Sequence, residues 1–153
     1  MAKKERFRII PSVYALFIKD GKILLLRRYQ TGFEDGNYGL PAGHADGGET
    51  FSQALIREVL EEVGVRLDQN HLNFILTMHR WSGDHERADF FFLVEYWRGE
   101  PKNMEPNKCD DLAWFSLDQL PQNTITYIRA AIHCYRKGEK YCEFGWTYKA
   151  SGK

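Results

Sequence analysis

The sequence is poor in cysteine, carries no net excess of charge and contains no long apolar run. Its three cysteines, Cys109, Cys134 and Cys142, are widely spaced and include no Cys-x-x-Cys pair, which argues against a zinc site or a disulfide framework. The 21 basic residues balance the 21 acidic residues, so no general attraction to nucleic acid or to an anionic membrane is expected. The longest apolar stretches are too short to span a bilayer. We therefore expect a cytoplasmic protein that has neither a nucleic-acid nor a membrane partner.

The length and composition predict a single globular domain over residues 1–153. A chain of 153 residues with 43% hydrophobic and 27% charged residues can bury one core. The basic opening MAKKERFRII resembles the start of a signal peptide, but no uninterrupted apolar segment follows it. We find no repeat, low-complexity segment or linker that would divide the chain into two domains.

The first third of the chain predicts a hairpin, a long loop and a helix. Two aliphatic runs, Ile9–Ile18 and Lys22–Arg28, flank an Asp-Gly pair, which is a strong hairpin signal. The segment Tyr29–Gly48 is rich in Gly, Asp and Asn and predicts a loop with at most a short strand near Tyr38–Leu40. Thr50 and Gln53 then form a capping-box pattern, which predicts a helix over Phe51–Val63 that ends at Gly64.

The remaining elements predict an α/β (α+β) sandwich with a mixed sheet. The second helix is expected over Asn123–Lys137, and the aromatic tail Tyr141–Tyr148 is expected to be an edge strand or a surface flap. Strands interrupted by two helices are typical of such layered folds. The other predicted strands are His71–Trp81, Ala88–Trp97 and Leu112–Phe115.

Three glutamates in the first helix are the strongest candidates for chemistry. Glu58, Glu61 and Glu62 are spaced i, i+3 and i+4, so their carboxylates project from one side of the helix. Like charges at this spacing destabilise a bare helix by roughly 0.2–0.5 kcal/mol per pair, and a bound cation would relieve this repulsion. Carboxylate oxygens are hard ligands that favour Mg²⁺ or Mn²⁺.

The context of these glutamates resembles the Nudix hydrolases. The segment GHADGGETFSQALIREVLEEVGV contains Gly43, Glu49 and the run Arg-Glu-Val-Leu-Glu-Glu-Val-Gly-Val at the spacing of the Nudix box. This resemblance implies a Nudix-like α/β/α sandwich, an enzyme, and a loop-helix-loop held against the sheet. The chain differs from many relatives in having Tyr38 in place of Trp and Ala42 in place of Gly.

The resemblance also implies roles for the residues of the box. Glu58 and Glu62 are expected to be the main metal ligands, with Glu61 as a further ligand or the base and the Gly43 carbonyl as another ligand. Which glutamate acts as the base stays open. We expect Arg57 to pair with Glu49 and to fix the loop against the helix. The expected catalytic group is therefore Glu49, Arg57, Glu58 and Glu61.

Several residues outside the glutamate cluster are candidates for completing the site. A further metal-binding carboxylate is sought among Glu105, Asp110 and Asp111, and the sequence does not choose among them. Tyr38, Trp81, Phe90, Phe92 and Trp114 are candidates for stacking on a base, although most aromatic residues belong to the core. The substrate-binding candidates are Arg27, Arg28, Tyr38, His44 and His79.

The expected reaction is metal-dependent hydrolysis of a small nucleoside diphosphate derivative, first of all a nucleoside triphosphate cleaved to monophosphate and pyrophosphate. Relatives acting on ADP-ribose often carry a Pro beyond the box, and those acting on dinucleoside polyphosphates often carry a Tyr. Residues Thr77–Asp84 contain neither. The alternatives are an ADP-ribose or nucleotide-sugar pyrophosphatase and a non-catalytic nucleotide sensor. A monomer and a homodimer are both compatible with the sequence.

Overall fold

The computed structural model describes residues 2–147, in which an eight-stranded sheet lies between two helices. The two helices are α1 (Phe51–Val63) and α2 (Thr126–Arg136). The strands are β1 (Ile10–Lys19), β2 (Lys22–Arg28), β3 (Tyr38–Gly39), β4 (Ala42–His44), β5 (Leu72–Trp81), β6 (Glu86–Val94), β7 (Cys109–Ser116) and β8 (Tyr141–Phe144).

The sheet is mixed, as the sequence predicted. Its main path runs β3-β2-β1-β6-β5-β8, with β4 paired to β1 and β7 paired to β2. The pairs β1–β6 and β5–β8 are parallel, and the other strand pairs are antiparallel. The fold is therefore an α+β sandwich with a mixed sheet.

Strand β1 explains why the sheet is covered on both faces. Val13 and Phe17 belong to the apolar cluster that packs under α1, whereas Tyr14 and Leu16 belong to the cluster that packs under α2. Successive side chains of a strand point to opposite faces, so one apolar run supplies both cores. The two helices consequently lie on opposite faces of the sheet.

The β1–β2 hairpin is confirmed at the expected turn. Asp20 and Gly21 both have positive φ, at 52° and 72°. This combination suits the tight turns that match the twist of a hairpin. The first strand begins at Ile10 and continues through Lys19, one residue beyond the predicted end.

The structure differs from four predictions, and in three of them the difference comes from pairing between distant strands. The loop before α1 contains β4, which pairs with β1 through residues 12–14. Strand β6 runs Glu86–Val94 instead of Ala88–Trp97, and it begins earlier because Glu86 pairs with Trp81, the last residue of β5. Strand β7 extends to Cys109 and Ser116 because it pairs with β2 along its length. Helix α2 begins at Thr126, after residues that form a turn at Asn123.

The aromatic tail forms the edge strand β8, which runs parallel to β5. Tyr148, the last residue of the predicted tail, lies outside the described residues. Within residues 2–147, no helix is long and apolar enough to cross a membrane.

Candidate active site

Helix α1 presents its glutamates from a fixed position. The side chain of Thr50 accepts a hydrogen bond from the Gln53 backbone amide, the side chain of Gln53 accepts one from the Thr50 backbone amide, and Gly64 ends the helix at φ 71°. This capping box satisfies amides that the helix leaves unpaired. The apolar side of the helix is anchored in the core by Ala54, Leu55, Val59 and Val63.

The three helix glutamates line one open cavity of about 600 Å³, which we call the carboxylate cavity. Glu58 accepts a hydrogen bond from Arg57 Nη1 at 2.8 Å, and Glu62 accepts one from the Ala42 amide at 3.0 Å. Glu61 is more open, since its side chain is 56% exposed. The lining also includes Leu26, Arg28, Gln30, Thr31, Gly43, His44, Asp46, Glu105, Lys108 and Cys109.

Gly43 allows the loop to lie directly against α1. A Cβ atom at this position would overlap the carboxyl group of Glu58, so a larger residue would force Glu58 to move. The close approach brings the backbone of β4 beside the helix carboxylates. The resemblance predicted that Gly43 would lie next to the helix glutamates, and it does.

Arg57 fixes the loop against the helix through the expected pair with Glu49. Its Nε and Nη2 atoms donate to the two carboxylate oxygens of Glu49 at 3.2 and 2.7 Å. Nη2 also reaches the His44 carbonyl at 3.3 Å and Asp46 at 3.4 Å. Forked arginine–carboxylate contacts are geometrically specific, so this network holds the backbone next to Gly43.

Two acidic side chains of the carboxylate cavity, Glu58 and Glu62, are partly or largely withdrawn from water. Burial raises the pKa of Glu62 to about 8, the hydrogen bond from Ala42 opposes this shift, and the charges of Glu58 and Glu105 add to it. Burial likewise raises the pKa of Glu58, against the effect of Arg57. A cation bound among these oxygens would favour their ionised forms.

The donor set fits a hard divalent ion, although the side chains are not closed around one. Carboxylate and carbonyl oxygens suit Mg²⁺ or Mn²⁺. Within residues 2–147, no three acidic, histidine or cysteine side chains are gathered tightly enough to hold an ion in the arrangement observed. Glu58 already accepts a hydrogen bond from Arg57, and Glu62 accepts one from the Ala42 amide, so a bound ion would have to share or displace these contacts.

Among the three candidate carboxylates outside the helix, only Glu105 lines the carboxylate cavity. It contacts Lys108 at 3.1 Å, and its negative charge helps to raise the pKa of both Glu58 and Glu62. Asp110 instead pairs with Arg27 at 2.7 Å, and Asp111 accepts a hydrogen bond from the Tyr38 hydroxyl. The last two carboxylates therefore serve contacts elsewhere on the sheet.

A second cavity of about 320 Å³, which we call the arginine cavity, adjoins the first. The two cavities have in common the residues Leu26, Arg28, Ala42, Gly43 and His44. The arginine cavity also has the polar residues Ser12, Arg80, Ser82, His85 and Arg87 and the apolar or aromatic residues Tyr14, Phe33, Leu40, Ile125, Tyr127 and Ile128. A ligand can therefore occupy both cavities at once.

A buried ion pair supports the floor of the arginine cavity. Arg80 Nε donates to Asp89 at 2.5 Å, and the Tyr14 hydroxyl donates to the same carboxylate at 3.3 Å. Asp89 is fully buried. The Arg80 guanidinium also lies 3.7 Å from the centre of the Tyr127 ring, a cation–π contact.

Arg87 connects the arginine cavity to the loop that carries Gly43. Its Nη2 atom lies 2.6 Å from Ser12 Oγ and 2.6 Å from His44 Nε2, and its Nη1 atom lies 3.2 Å from His85 Nε2. Partial desolvation, and then the charge of Arg87, lower the pKa of His44. A neutral His44 imidazole can accept the hydrogen bond from Arg87.

The structure separates the predicted substrate contacts into two groups. Arg28 and His44 line both cavities. In the described part of the chain, Arg27, Tyr38 and His79 lie outside the lining of both cavities. Their side chains are engaged elsewhere: Arg27 with Asp110, Tyr38 with Asp111 and Phe115, and His79 with Glu86 and Trp146.

The aromatic residues proposed for base stacking also have packing partners. Phe90 stacks on Phe51 at 4.3 Å, and Trp114 stacks on Trp97 at 5.9 Å. Phe92 packs in the core under α1, and Trp81 lies 5.8 Å from Trp146. The rings in the cavity lining are instead those of Tyr14, Phe33 and Tyr127.

The arginine cavity was missed by the sequence analysis. The polar residues that it does not share with the carboxylate cavity come from β1, β5, the β5–β6 turn and β6, so no local motif contains them. One signal was available in the sequence. Arg87 and Asp89 alternate with apolar residues at the start of a strand that is otherwise aromatic and buried, and charges in such positions need partners.

The sequence matches the family model described as NUDIX domain over residues 8–133. The curated relative NAD-capped RNA hydrolase NudC of Pseudomonas aeruginosa (strain LESB58) is 36% identical over 114 residues, which cover 74% of this chain and 38% of that protein. The chain therefore spans less than half the length of NudC. Phosphatase NudJ of Escherichia coli O1:K1 / APEC is 26% identical over 139 residues, covering 84% of this chain and 88% of that protein.

Solved structures agree with these relatives. The MutT NUDIX hydrolase from Burkholderia pseudomallei is 29% identical, with a TM-score of 0.76, and the match covers 83% of this chain and 98% of that one. The residues matched by the family model, 8–133, include the glutamate-bearing loop-helix segment.

Proposed function

Because the chain belongs to the Nudix hydrolase family, we propose that it cleaves nucleoside triphosphates to a monophosphate and pyrophosphate with the help of a divalent metal ion. The observation that carries this proposal is the junction of the two cavities. The carboxylate cavity suits the metal-bound phosphates, and the adjoining arginine cavity is large enough for the rest of a nucleotide. Arg28 lies where the two cavities meet and can contact a phosphate oxygen.

We assign the metal-holding role to Glu58, Glu62 and the Gly43 carbonyl, with Glu61 and Glu105 as further oxygen donors. A bound Mg²⁺ or Mn²⁺ ion would neutralise phosphate charge and acidify a water molecule for attack on phosphorus. Arg57 and Glu49 keep the Gly43 backbone in position. Arg57 also holds Glu58, so it must release that carboxylate or share it when the ion is present.

Glu61 is our choice for the residue that accepts a proton from the attacking water. Its side chain is the most open of the three helix glutamates, whereas Glu58 and Glu62 already accept protein hydrogen bonds. A general base must reach the proton that it removes, directly or through one water molecule. Arg28, which lines both cavities, would orient the phosphates relative to that water.

A triphosphate is preferred over larger substrates because of the size and charge of the site. The arginine cavity, at about 320 Å³, has room for one ring system and its sugar. An ADP-ribose molecule or a nucleotide sugar carries a further sugar that must be placed beyond the phosphates. The chain has 21 basic and 21 acidic residues, so it offers no broad field that would hold the body of an RNA.

The test is a panel of nucleoside triphosphates, ADP-ribose, nucleotide sugars and dinucleoside polyphosphates, with pyrophosphate and orthophosphate measured separately. The highest kcat/KM should belong to a triphosphate that releases pyrophosphate only when Mg²⁺ or Mn²⁺ is present. Glu61→Gln should reduce turnover by at least ~10²-fold, because it replaces a base or ligand with a neutral group of the same shape.

Two results would contradict the proposal in different ways. A higher kcat/KM for ADP-ribose or a nucleotide sugar would reject the triphosphate. Nucleotide binding without any metal-dependent hydrolysis would favour the nucleotide-sensor alternative, which the intact glutamate cluster argues against. An Arg136→Gln variant is a suitable control, since Arg136 is exposed, pairs with Asp118 and lines neither the carboxylate cavity nor the arginine cavity.

A further inference from the structure

The polar wall of the arginine cavity is rich in hydrogen-bond donors. Three arginines, Arg28, Arg80 and Arg87, line this cavity. A guanidinium group has five N–H donors and no acceptor. The lining therefore favours a ligand whose facing edge presents acceptor atoms.

Asp89, a carboxylate beside Arg80 and Arg87, already has hydrogen-bond partners within the protein. Asp89 accepts hydrogen bonds from Arg80 Nε and from the Tyr14 hydroxyl, and it is fully buried. The Arg80–Asp89 pair is neutral as a unit. Arg87 Nε lies 3.9 Å from the same carboxylate, beyond hydrogen-bonding distance. One negative charge therefore faces two arginines, and the group of three side chains keeps one net positive charge.

Among the described residues, no carboxylate accepts a hydrogen bond from Arg87, although Asp89 lies 3.9 Å from its Nε atom. Ser12 Oγ, His44 Nε2 and His85 Nε2 face its terminal nitrogens, and its buried Nε atom has no hydrogen-bond partner among the described residues. Nδ1 of the His85 ring lies 2.5 Å from Asp84 Oδ1, and Nε2 of the same ring lies 3.2 Å from Arg87 Nη1. These contacts use both N–H groups of Nη2 and one of Nη1, so Arg87 offers a ligand its remaining Nη1 N–H and its positive charge.

Another part of the cavity lining is apolar. Leu40, Ile125 and Ile128 line it and belong to the core under α2. Apolar walls with a few placed polar groups are typical of sites that bind a ring and fix its orientation. A free phosphate ion would gain little from these walls, whereas a planar base would cover them.

We propose that the arginine cavity binds the base of a 6-oxopurine nucleotide and that Arg87 is the residue that selects it. This inference rests on the proposed triphosphate hydrolysis and names the base. The O6 and N7 atoms of guanine and hypoxanthine are adjacent acceptors, the edge that arginine recognises best among the bases. Adenine presents an amino donor at the corresponding position and would oppose the N–H groups of the wall.

The first experiment measures binding of monophosphates to the wild-type protein without metal, by calorimetry or NMR titration. GMP and IMP should bind about 10-fold more tightly than AMP, the size of discrimination that one good arginine contact provides. 7-Deaza-GMP, which lacks the N7 acceptor, should bind more weakly than GMP. Equal affinities for GMP and AMP, or no binding of GMP at millimolar concentration, would overturn the proposal.

The second experiment tests the role of Arg87. Arg87→Gln should reduce the preference for GMP over AMP to about 2-fold or less, and Arg87→Lys should reduce it in the same direction because lysine lacks the planar fork. Arg136→Gln is the matched control and should retain the wild-type preference. A preference for GMP that survives both Arg87 substitutions would overturn the assignment of Arg87.

Further comparisons distinguish the selection of a 6-oxopurine base from the proposed triphosphate hydrolysis, and from simple binding of an anion in the arginine cavity. Monophosphates contain no phosphoanhydride bond, so their binding reports on the cavity even if triphosphate hydrolysis is not observed. Conversely, efficient hydrolysis with equal kcat/KM for ATP and GTP would reject the base assignment and leave the hydrolase intact. If inorganic phosphate displaces GMP from the cavity and binds there as tightly, the cavity is an anion site, and the base assignment is wrong.

Discussion

At the scale of single residues, Gly43 determines how closely the loop and helix α1 can meet. A side chain at this position overlaps the Glu58 carboxyl group, whereas a Cβ at Gly47, in the same loop, meets nothing within 4 Å. We expect Gly43→Ala to reduce kcat at least ~10-fold and to raise the Mg²⁺ concentration needed for half-maximal activity, because Glu58 must leave its position. Gly47→Ala is the matched control, and an equal loss in both variants would contradict this explanation.

Glu62 makes the stability of the metal-free protein depend on pH. Its pKa is raised from 4.5 to about 8 by burial, so the folded state holds this proton more tightly than the unfolded state does. The stabilisation is complete below about pH 4.5 and is lost as the pH rises through about 8. Glu58, whose pKa is raised by burial, adds a dependence of the same sign.

We therefore expect the melting temperature in EDTA to fall more steeply between pH 5 and pH 8.5 for the wild type than for Glu62→Gln. The glutamine keeps the shape and an oxygen for the Ala42 amide, but it does not ionise. Differential scanning fluorimetry across this pH range measures the effect. A difference between the two proteins that stays constant with pH would show that charge is not its cause.

At the scale of secondary-structure elements, the start of α1 depends on one hydroxyl group. Thr50 accepts a hydrogen bond from the Gln53 amide at 3.1 Å. Thr50→Ala should destabilise the protein by about 1 kcal/mol, which corresponds to about 3 °C in melting temperature at this chain length. Thr50→Ser keeps the hydroxyl and should restore most of the loss, so equal effects of Ala and Ser would argue against the cap.

The same helix shows what local sequence can predict. Its bounds, its capping box and its end at Gly64 follow from residues that are neighbours in the chain, and all three are found as predicted. The family resemblance likewise places Gly43 beside the helix glutamates. These features could be predicted because the interactions that determine them span only a few turns of the chain.

Features that depend on distant pairing could not be predicted in this way. Strand β4 exists because β1 offers it a partner, and Arg80 meets Arg87 at one cavity because β5 and β6 pair in a particular register. Tyr38 and Arg27 were expected at the substrate, but Asp111 and Asp110 of β7 lie close enough to bind them. The sequence contained these acids as candidates without indicating which face they occupy.

At the scale of the whole molecule, a divalent ion should stabilise the fold as well as activate it. An ion that binds only the folded state raises stability by mass action, by about 2.7 kcal/mol at a concentration 100 times its Kd. Mg²⁺ and Mn²⁺ should therefore raise the melting temperature of the wild type. The increase should be smaller for Glu58→Gln and Glu62→Gln, and an unchanged melting temperature at millimolar Mg²⁺ would contradict the metal site.

The short strand β8 has a consequence for how the protein behaves at high concentration. It covers residues Thr77–Arg80 of β5, the Thr77 amide is bonded to the Lys140 carbonyl at 3.0 Å, and the Trp146 indole donates to the His79 carbonyl. A ten-residue strand such as β5 would otherwise present unpaired backbone groups to a second chain. A chain shortened after Gly138 should associate through this edge, which light scattering at increasing concentration would detect. We therefore expect strand β8 to protect the sheet from intermolecular strand pairing.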